Sequence, residues 1–275
     1  MADELKQKIN APAWHEDRPY DPKEQIRLER ACERFRSHRA ELALDRRYEL
    51  VDVGCGVGPL RQWLDGDAFR IVGLEIGEAA AAIARRRYDA CEVCDAEAPW
   101  PLPAASFDGV HAGAVLEHVL DWHGPLNHAN AVLRGAGLLV VSVPNLRYWK
   151  EVRRLIRGRQ PHWLQDMKHV HGYTPRFLCE LLAVHGFEVI GLEADRVNLP
   201  LLPHRSGWVR RRFARWGSVL IVSARLARRV RVEDHARAAE FPRHKPVACR
   251  AIELPPADQP SGRDDANSPP TDATA

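Results

Sequence analysis

The run Tyr48-Glu49-Leu50-Val51-Asp52-Val53 ends directly in Gly54-x-Gly56-x-Gly58, and Pro59 follows at once. A short apolar run bounded by turn residues signals a buried strand. Glycines let the backbone turn tightly, and proline is favoured in a helix's first turn. The stretch therefore predicts strand, turn and helix within 48–64. The cycle then repeats: a strand over 70–75, an alanine-rich helix over 78–87, strands over 90–94 and 107–111, a helix over 124–133 and a strand over 138–143. A helix over 175–185, a strand over 187–192 and a last candidate strand over 218–224 complete the pattern. Seven short strands alternating with helices predict an α/β fold, with a mostly parallel sheet and helices on both faces.

Around this core the composition changes twice. Residues 1–20 are polar and carry Pro12 and Pro19, reading as an arm. Asp21-Pro22 is a helix start, and the helix that follows to Leu44 has one apolar stripe among many charges. Residues 1–45 are thus read as arm plus helix, 46–232 as the main domain, and 233–275 as a largely disordered tail rich in Pro, Ser, Asp, Asn and Thr. The segment 145–173, with Tyr148, Trp149, Trp163 and five basic residues between Lys150 and Arg159, interrupts the sheet pattern as an insertion. At 275 residues and 45% hydrophobic content, the chain suffices for one sizeable α/β domain with extensions.

Several classes are set aside. No apolar run approaches the roughly 18–20 residues of a membrane span, and Met1-Ala2-Asp3-Glu4-Leu5-Lys6 lacks the apolar core of a secretory signal. The expectation is a cytoplasmic protein. Six scattered cysteines suit a reducing compartment, and Cys91-x-x-Cys94 has no second pair to complete a zinc knuckle. Net charge is only +3, yet His204 to Arg231 holds nine arginines and no acid. That stretch (204–231) fits a solvated basic surface, or a helix of Trp208, Phe213, Trp216 and arginines lying on an anionic membrane. No RNA-binding signature accompanies it, so nucleic acid is not expected as a partner. Oligomeric state is not legible.

Chemistry concentrates at four strand ends. Open α/β sheets bind ligands outside the carboxyl ends of their strands. The first end is the glycine loop, Gly54-Cys55-Gly56-Val57-Gly58, with Asp52 before it. A dinucleotide site wants G-x-G-x-x-G around a pyrophosphate, which an adjacent acid would repel; an acid suits a ligand carrying an ammonium and a sulfonium. The second is Glu75 followed by Ile76, where a carboxylate can accept both hydroxyls of a ribose. Asp95 and Ala96, at the third, are placed to meet an adenine amino group and ring. The fourth is Ala114-Val115-Leu116-Glu117-His118-Val119.

These residues together resemble the class I S-adenosylmethionine-dependent methyltransferases. Val51 to Gly58 is similar to that family's first motif. Asp95-Ala96-Glu97, Leu102-Pro103 with Ser106-Phe107-Asp108, Leu116 to Val119 and Val132 to Gly137 are similar to its later motifs, in order. The likeness spans about 48–193. Ser142-Val143-Pro144-Asn145, His169, Tyr173-Thr174 and Leu181-Leu182 with Gly186-Phe187 further resemble a small-molecule subgroup, which includes ubiquinone-biosynthesis O-methyltransferases and enzymes of polysaccharide and natural-product clusters. The resemblance implies a Rossmann-like fold and S-adenosyl-L-methionine held by Asp52, Gly54, Cys55, Gly56, Gly58, Glu75, Ile76, Asp95, Ala96 and Glu117. It implies methyl transfer to an oxygen or nitrogen of a small-molecule or lipid- or sugar-linked acceptor. The alternative is a cofactor-binding partner protein without catalysis.

Ubiquinone-type enzymes offer a further glutamate as a magnesium ligand three residues before the Glu-His pair. Ala114 stands there, and Glu117 with His118 alone makes a poor magnesium site, so no metal is expected. An acceptor oxygen of high pKa needs a base, and His118 and His169 are the two candidates. Each also has a plainer reading, His118 as a helix cap and His169 as a loop residue near His162 and His171.

Overall fold

The computed structural model describes residues 22–165, 169–198 and 207–230. The expected arm over 1–20 and tail over 233–275 lie outside these. Seven strands form one sheet: β1 (Tyr48–Val53), β2 (Phe69–Glu75), β3 (Ala90–Val93), β4 (Phe107–Gly113), β5 (Leu133–Pro144), β6 (Phe187–Ala194) and β7 (Val219–Leu226). Their spatial order is β3-β2-β1-β4-β5-β7-β6. All pairings from β3 to β5 are parallel, and β7 runs antiparallel to both β5 and β6.

Both faces of the central strands β2, β1, β4, β5 and β7 are largely buried, which is why apolar residues fall on both of their sides, whereas the edge strands β3 and β6 are part-exposed. Leu50, Ile71, Leu138 and Val140 pack into one core; Val51, Val72, Leu139 and Val141 pack into the other. This is the two-residue side-chain period of a strand serving two cores at once. Helix α1 (Pro22–Glu41) covers the first face with Ala31, Cys32 and Phe35. Its apolar stripe is thus a layer of the main fold. Phe35 and Tyr48 fit because residue 109 is glycine: a Cβ there would lie 2.7 Å from the Tyr48 hydroxyl and 2.9 Å from Phe35. The helices α3 (His123–Val132) and α5 (Pro175–Val184) supply Leu126, Ala129, Leu178 and Leu182 to the other face. Thr174 caps α5, its hydroxyl accepting the Phe177 N–H at 3.2 Å.

Several boundaries moved. The helix expected after the glycine loop is a single 3-10 turn, Pro59–Gln62, with Pro59 and Leu60 buried. Helix α2 is shorter than expected, Glu78–Ala84. Strand β5 begins at Leu133 rather than 138, because Leu133 pairs Phe107 across a bulge. The left-handed residue in that bend is Ala136 (φ 60), not a glycine.

One buried carboxylate pins the N-terminal ends of β1 and β4. Asp108 accepts from Arg46 at 2.6 and 2.7 Å, from Arg134 at 2.8 Å and from the Glu49 N–H at 2.9 Å. Burial opposes its charge, but the Arg46 guanidinium, the Glu49 amide and Arg134 outweigh it and hold the carboxyl below its ordinary value. A lowered carboxyl pKa adds stability that is complete above the unfolded-state value and lost as pH falls through the folded one. Both arginines are part-exposed, which discounts the effect. Asp108→Asn is expected to lose about 1–3 kcal/mol in denaturant unfolding at pH 7. The gap to the parent should close as pH drops below about 4; a gap independent of pH would argue against this role.

Candidate active site

Because β3, β2, β1 and β4 are contiguous and parallel, their carboxyl ends lie side by side, and the four predicted motifs meet along one edge. The glycine loop turns through left-handed backbone at Gly54 (φ 60), Gly56 (φ 53) and Gly58 (φ 76). A Cβ on Gly54 would press on Val115 at 2.9 Å, whereas one on Gly56 would enter open space. The loop after β4 thus touches the loop after β1, while Gly56 faces outward toward the ligand side. Glu75 closes the loop: its carboxylate accepts the Gly56 N–H at 2.8 Å and the Gly77 N–H at 2.9 Å. Burial pushes the Glu75 carboxyl up, and those amides offset part of the rise. Ile76, Asp95 and Ala96 are half-buried beside it, with Asp95 Oδ1 accepting the Glu97 N–H at 3.0 Å.

An outward-facing glycine backbone, a carboxylate beside it and a carboxylate on the next strand are a fitting donor and acceptor set for an adenosyl cofactor. Residues 54–58, Glu75, Ile76, Asp95 and Ala96 would hold it.

Asp52 does not sit as the sequence suggested. It is 2% exposed, with Oδ2 accepting from the Tyr88 hydroxyl at 2.6 Å and Oδ1 bonded to His111 Nδ1 at 2.7 Å. Tyr88 in turn accepts the Leu60 N–H at 3.1 Å. Strand alternation turns residue 52 into the sheet's packed face, so its carboxylate props the loop from beneath rather than facing the ligand. Cys55 is likewise buried, its Sγ 3.7 Å from Cys91 Sγ, and offers the site only backbone. Residue 73 must be glycine here, since a Cβ would meet the Cys55 sulfur at 2.6 Å. No local pattern announces Tyr88 or His111, whose partner lies 36 or 59 residues away.

Beyond β4 the chain turns at Ala114 (φ 55) into the loop that bears Glu117 and His118. The segment 169–173 folds back onto it. Val170 N–H donates to Glu117 O at 2.8 Å, and the Tyr173 hydroxyl donates to Leu116 O at 2.8 Å. His118 and His169, distant in sequence, come together with ring centroids 4.7 Å apart. His169 Nδ1 lies 2.7 Å from Trp163 O. A carbonyl only accepts, so Nδ1 carries the proton and, in the neutral ring, Nε2 keeps its lone pair. Glu117 is 1% exposed, and burial pushes its carboxyl up to about 7. The sequence placed Glu117 with the cofactor; the fold sets it beside the two imidazoles. His171 and His162 stand apart, His171 against Trp122 and Leu120 O.

The insertion contains helix α4 (Trp149–Ile156) and a 3-10 turn, Trp163–Gln165. Its aromatics mainly pack: Tyr148 is buried, Trp149 Nε1 donates to Asn198 O at 2.7 Å, and the Trp163 ring occupies the space a Gly172 side chain would take. Asn145, from the Pro-Asn motif, is buried and donates to the Arg215 and Gly217 carbonyls, tying β5 to the start of β7. The arginine-rich stretch is not uniformly solvated. Arg210 is buried, Arg229 donates to the Asn130 and Leu133 carbonyls, and Arg225 pairs with Glu41. Arg205 and Arg231 lie outside the described residues.

A seven-stranded sheet with one antiparallel strand, bearing glycine loop, acid and Glu-His motifs on successive ends, defines the class I S-adenosylmethionine-dependent methyltransferase architecture. A family model for the methyltransferase domain matches residues 24–192, and the chain belongs to that family. A probable S-adenosylmethionine-dependent methyltransferase of Mycobacterium tuberculosis is 38% identical over 98 residues, 35% of this chain and 36% of that protein. A ubiquinone biosynthesis O-methyltransferase of Rhodopseudomonas palustris is 27% identical over 134 residues, 47% of this chain and 53% of that protein. The chain thus spans between a third and about half of the length of these relatives. Among solved structures, 1,6-didemethyltoxoflavin-N1-methyltransferase of Burkholderia thailandensis, with bound S-adenosylhomocysteine, superposes at TM-score 0.53. Identity is 18%, covering 82% of this chain and 88% of that one. Among the described residues, no helix is long and apolar enough to cross a membrane.

Removing the Glu75 carboxylate takes away the acceptor of the Gly56 and Gly77 amides that braces the loop. Glu75→Ala is expected to weaken S-adenosylmethionine binding by calorimetry roughly tenfold to a hundredfold, at about 1.4 kcal/mol per decade. Unchanged affinity would remove Glu75 from the cofactor site.

Proposed function

We propose that this chain transfers a methyl group from S-adenosylmethionine to an oxygen or nitrogen of a small-molecule or lipid- or sugar-linked acceptor. The observation that carries this reading is the His118–His169 pair with Glu117, next to the loop after β4 that touches Gly54. When bound, S-adenosylmethionine supplies a methyl group already activated on a sulfonium, so the chain's tasks are alignment, water exclusion and proton handling. His169 Nε2, with its lone pair fixed by the Trp163 carbonyl, is oriented to accept the acceptor's proton. His118 shares that wall. The 169–173 segment, bonded to the 116–117 backbone, holds both rings in place. The ubiquinone O-methyltransferase relatives support an oxygen acceptor, and the toxoflavin enzyme's N1 chemistry supports keeping nitrogen in the set.

A positioned histidine base typically contributes ~10²–10⁴-fold. His169→Ala and His118→Ala are each expected to lower turnover within that range, read as S-adenosylhomocysteine release over a panel of phenol, hydroxy-acid and amine acceptors. Cofactor affinity should stay unchanged. Tight cofactor binding with no turnover on any acceptor would instead point to a non-catalytic cofactor-binding partner.

A surface feature supports a lipid-linked source for the acceptor. Helix α4 buries none of its residues and exposes Val152, Leu155 and Ile156 among Arg153, Arg157 and Arg159. Just before this helix the Arg147 guanidinium lies 5.0 Å from the exposed Trp216 ring, and the 207–216 segment also exposes Trp208, Arg211, Arg212 and Arg215. Apolar side chains ringed by arginines match an anionic membrane surface. The chain should co-sediment with phosphatidylglycerol vesicles, less so in high salt and less in the Leu155→Asp, Ile156→Asp double variant. Equal partitioning onto neutral phosphatidylcholine vesicles would count against this surface.

A further inference from the structure

We infer that Glu117, His118 and His169 form a binding site for one divalent transition-metal ion of the zinc or cobalt type, on the acceptor side of the cleft. The inference rests on the acceptor-site reading above, with the bound ion in place of a free His169 Nε2 as the group that draws the proton off an acceptor hydroxyl and releases it to solvent, and it does not require turnover to be tested. The ligand-bearing atoms of these three residues all lie within 4.8 Å of one another. Metal–ligand bonds of roughly 2.0–2.2 Å would draw them to about 3–3.5 Å apart, a change within reach of side-chain rotation.

Three independent features fit a cation. Glu117 Oε2 is fully buried and has no hydrogen-bond partner. A buried carboxylate oxygen left unsatisfied is costly, and a cation is one partner that removes the cost. His169 Nδ1–H is spent on the Trp163 carbonyl, which leaves Nε2 as its free ligand atom, the backbone-carbonyl arrangement that orients metal-bound imidazoles. The donors also come from two segments already fastened together, since Val170 N–H bonds to Glu117 O and Tyr173 to Leu116 O. A preorganised pair of segments lowers the entropy cost of closing a site.

Donor chemistry selects the metal. Two imidazoles and one carboxylate suit zinc, cobalt and their neighbours; magnesium prefers oxygen ligands in near-octahedral geometry. This is not the Glu-x-x-Glu-His set of the ubiquinone-type enzymes, whose first glutamate is Ala114 here. The third donor arrives from the far side of the insertion, and three protein ligands leave positions open for an acceptor oxygen. The acceptor class this favours is one offering an ionisable hydroxyl, with or without a neighbouring oxygen to chelate.

The test uses the full, untagged chain stripped of metal with a chelator. Co²⁺ is titrated and followed by its visible ligand-field absorption, with Zn²⁺ as competitor and S-adenosylmethionine binding measured on the same metal-free material. One Co²⁺ per chain, displaced by Zn²⁺ and weakened roughly tenfold or more in Glu117→Gln and in His169→Ala, is expected. Should His169→Ala fold poorly by circular dichroism, His169→Asn serves the same comparison. No saturable Co²⁺ or Zn²⁺ binding, binding equal in parent and variants, or saturation by Mg²⁺ alone overturns the site. If the metal-free chain binds S-adenosylmethionine yet takes no metal, this inference fails and methyl transfer stands. If it takes metal yet never binds S-adenosylmethionine, the methyl-transfer reading fails and the metal site stands.

Discussion

The Asp52 carboxylate, buried under the glycine loop and bonded to both Tyr88 and His111, is the interaction on which the site's geometry rests. It joins β1, β4 and the turn before β3 at the level where three strands end. Leaving a buried carboxylate without partners costs several kcal/mol, so the sequence must supply both bonds or lose the loop's floor. Tyr88 then reaches the Leu60 amide, which anchors the 3-10 turn that follows the glycines. Above that floor, Glu75 braces Gly56 and Gly77 from the neighbouring strand. The glycine loop is thus held by a buried carboxylate below and a half-buried one above, with left-handed glycines between them.

The wall that bears His118 and His169 follows a different logic. Its groups come from the loop after β4 and from a segment some fifty residues later. Backbone hydrogen bonds to Glu117 O and Leu116 O fasten them together. The insertion between them does two things. Its aromatics fill the gap under residues 169–173, and its helix α4 turns an arginine-rich, apolar-tipped face outward.

The sheet was legible because each of β1, β2 and β5 is a near-continuous apolar run, and strands buried on both faces must be. The glycine loop and Glu75 were legible for a related reason: left-handed backbone and a strand-end acid leave residue-level signatures. Asp52 was misread because its type and position suit a ligand, while only strand alternation says which way it points. That Glu117, His118 and His169 are neighbours was not legible, since nothing local encodes the return of the 169–173 segment. The start of β5 was misjudged because Arg134-Gly135-Ala136 resembles a turn, and its pairing with β4 passes through a bulge.

The methyl-transfer reading depends on which nucleotide the edge formed by Gly54–Gly58, Glu75 and Asp95 accepts. Calorimetric titration of the chain with S-adenosylmethionine, S-adenosylhomocysteine and NADH decides it. Saturable binding of the first two, one per chain, with none for NADH, is the predicted result. Binding of NADH with no heat from S-adenosylmethionine would contradict it.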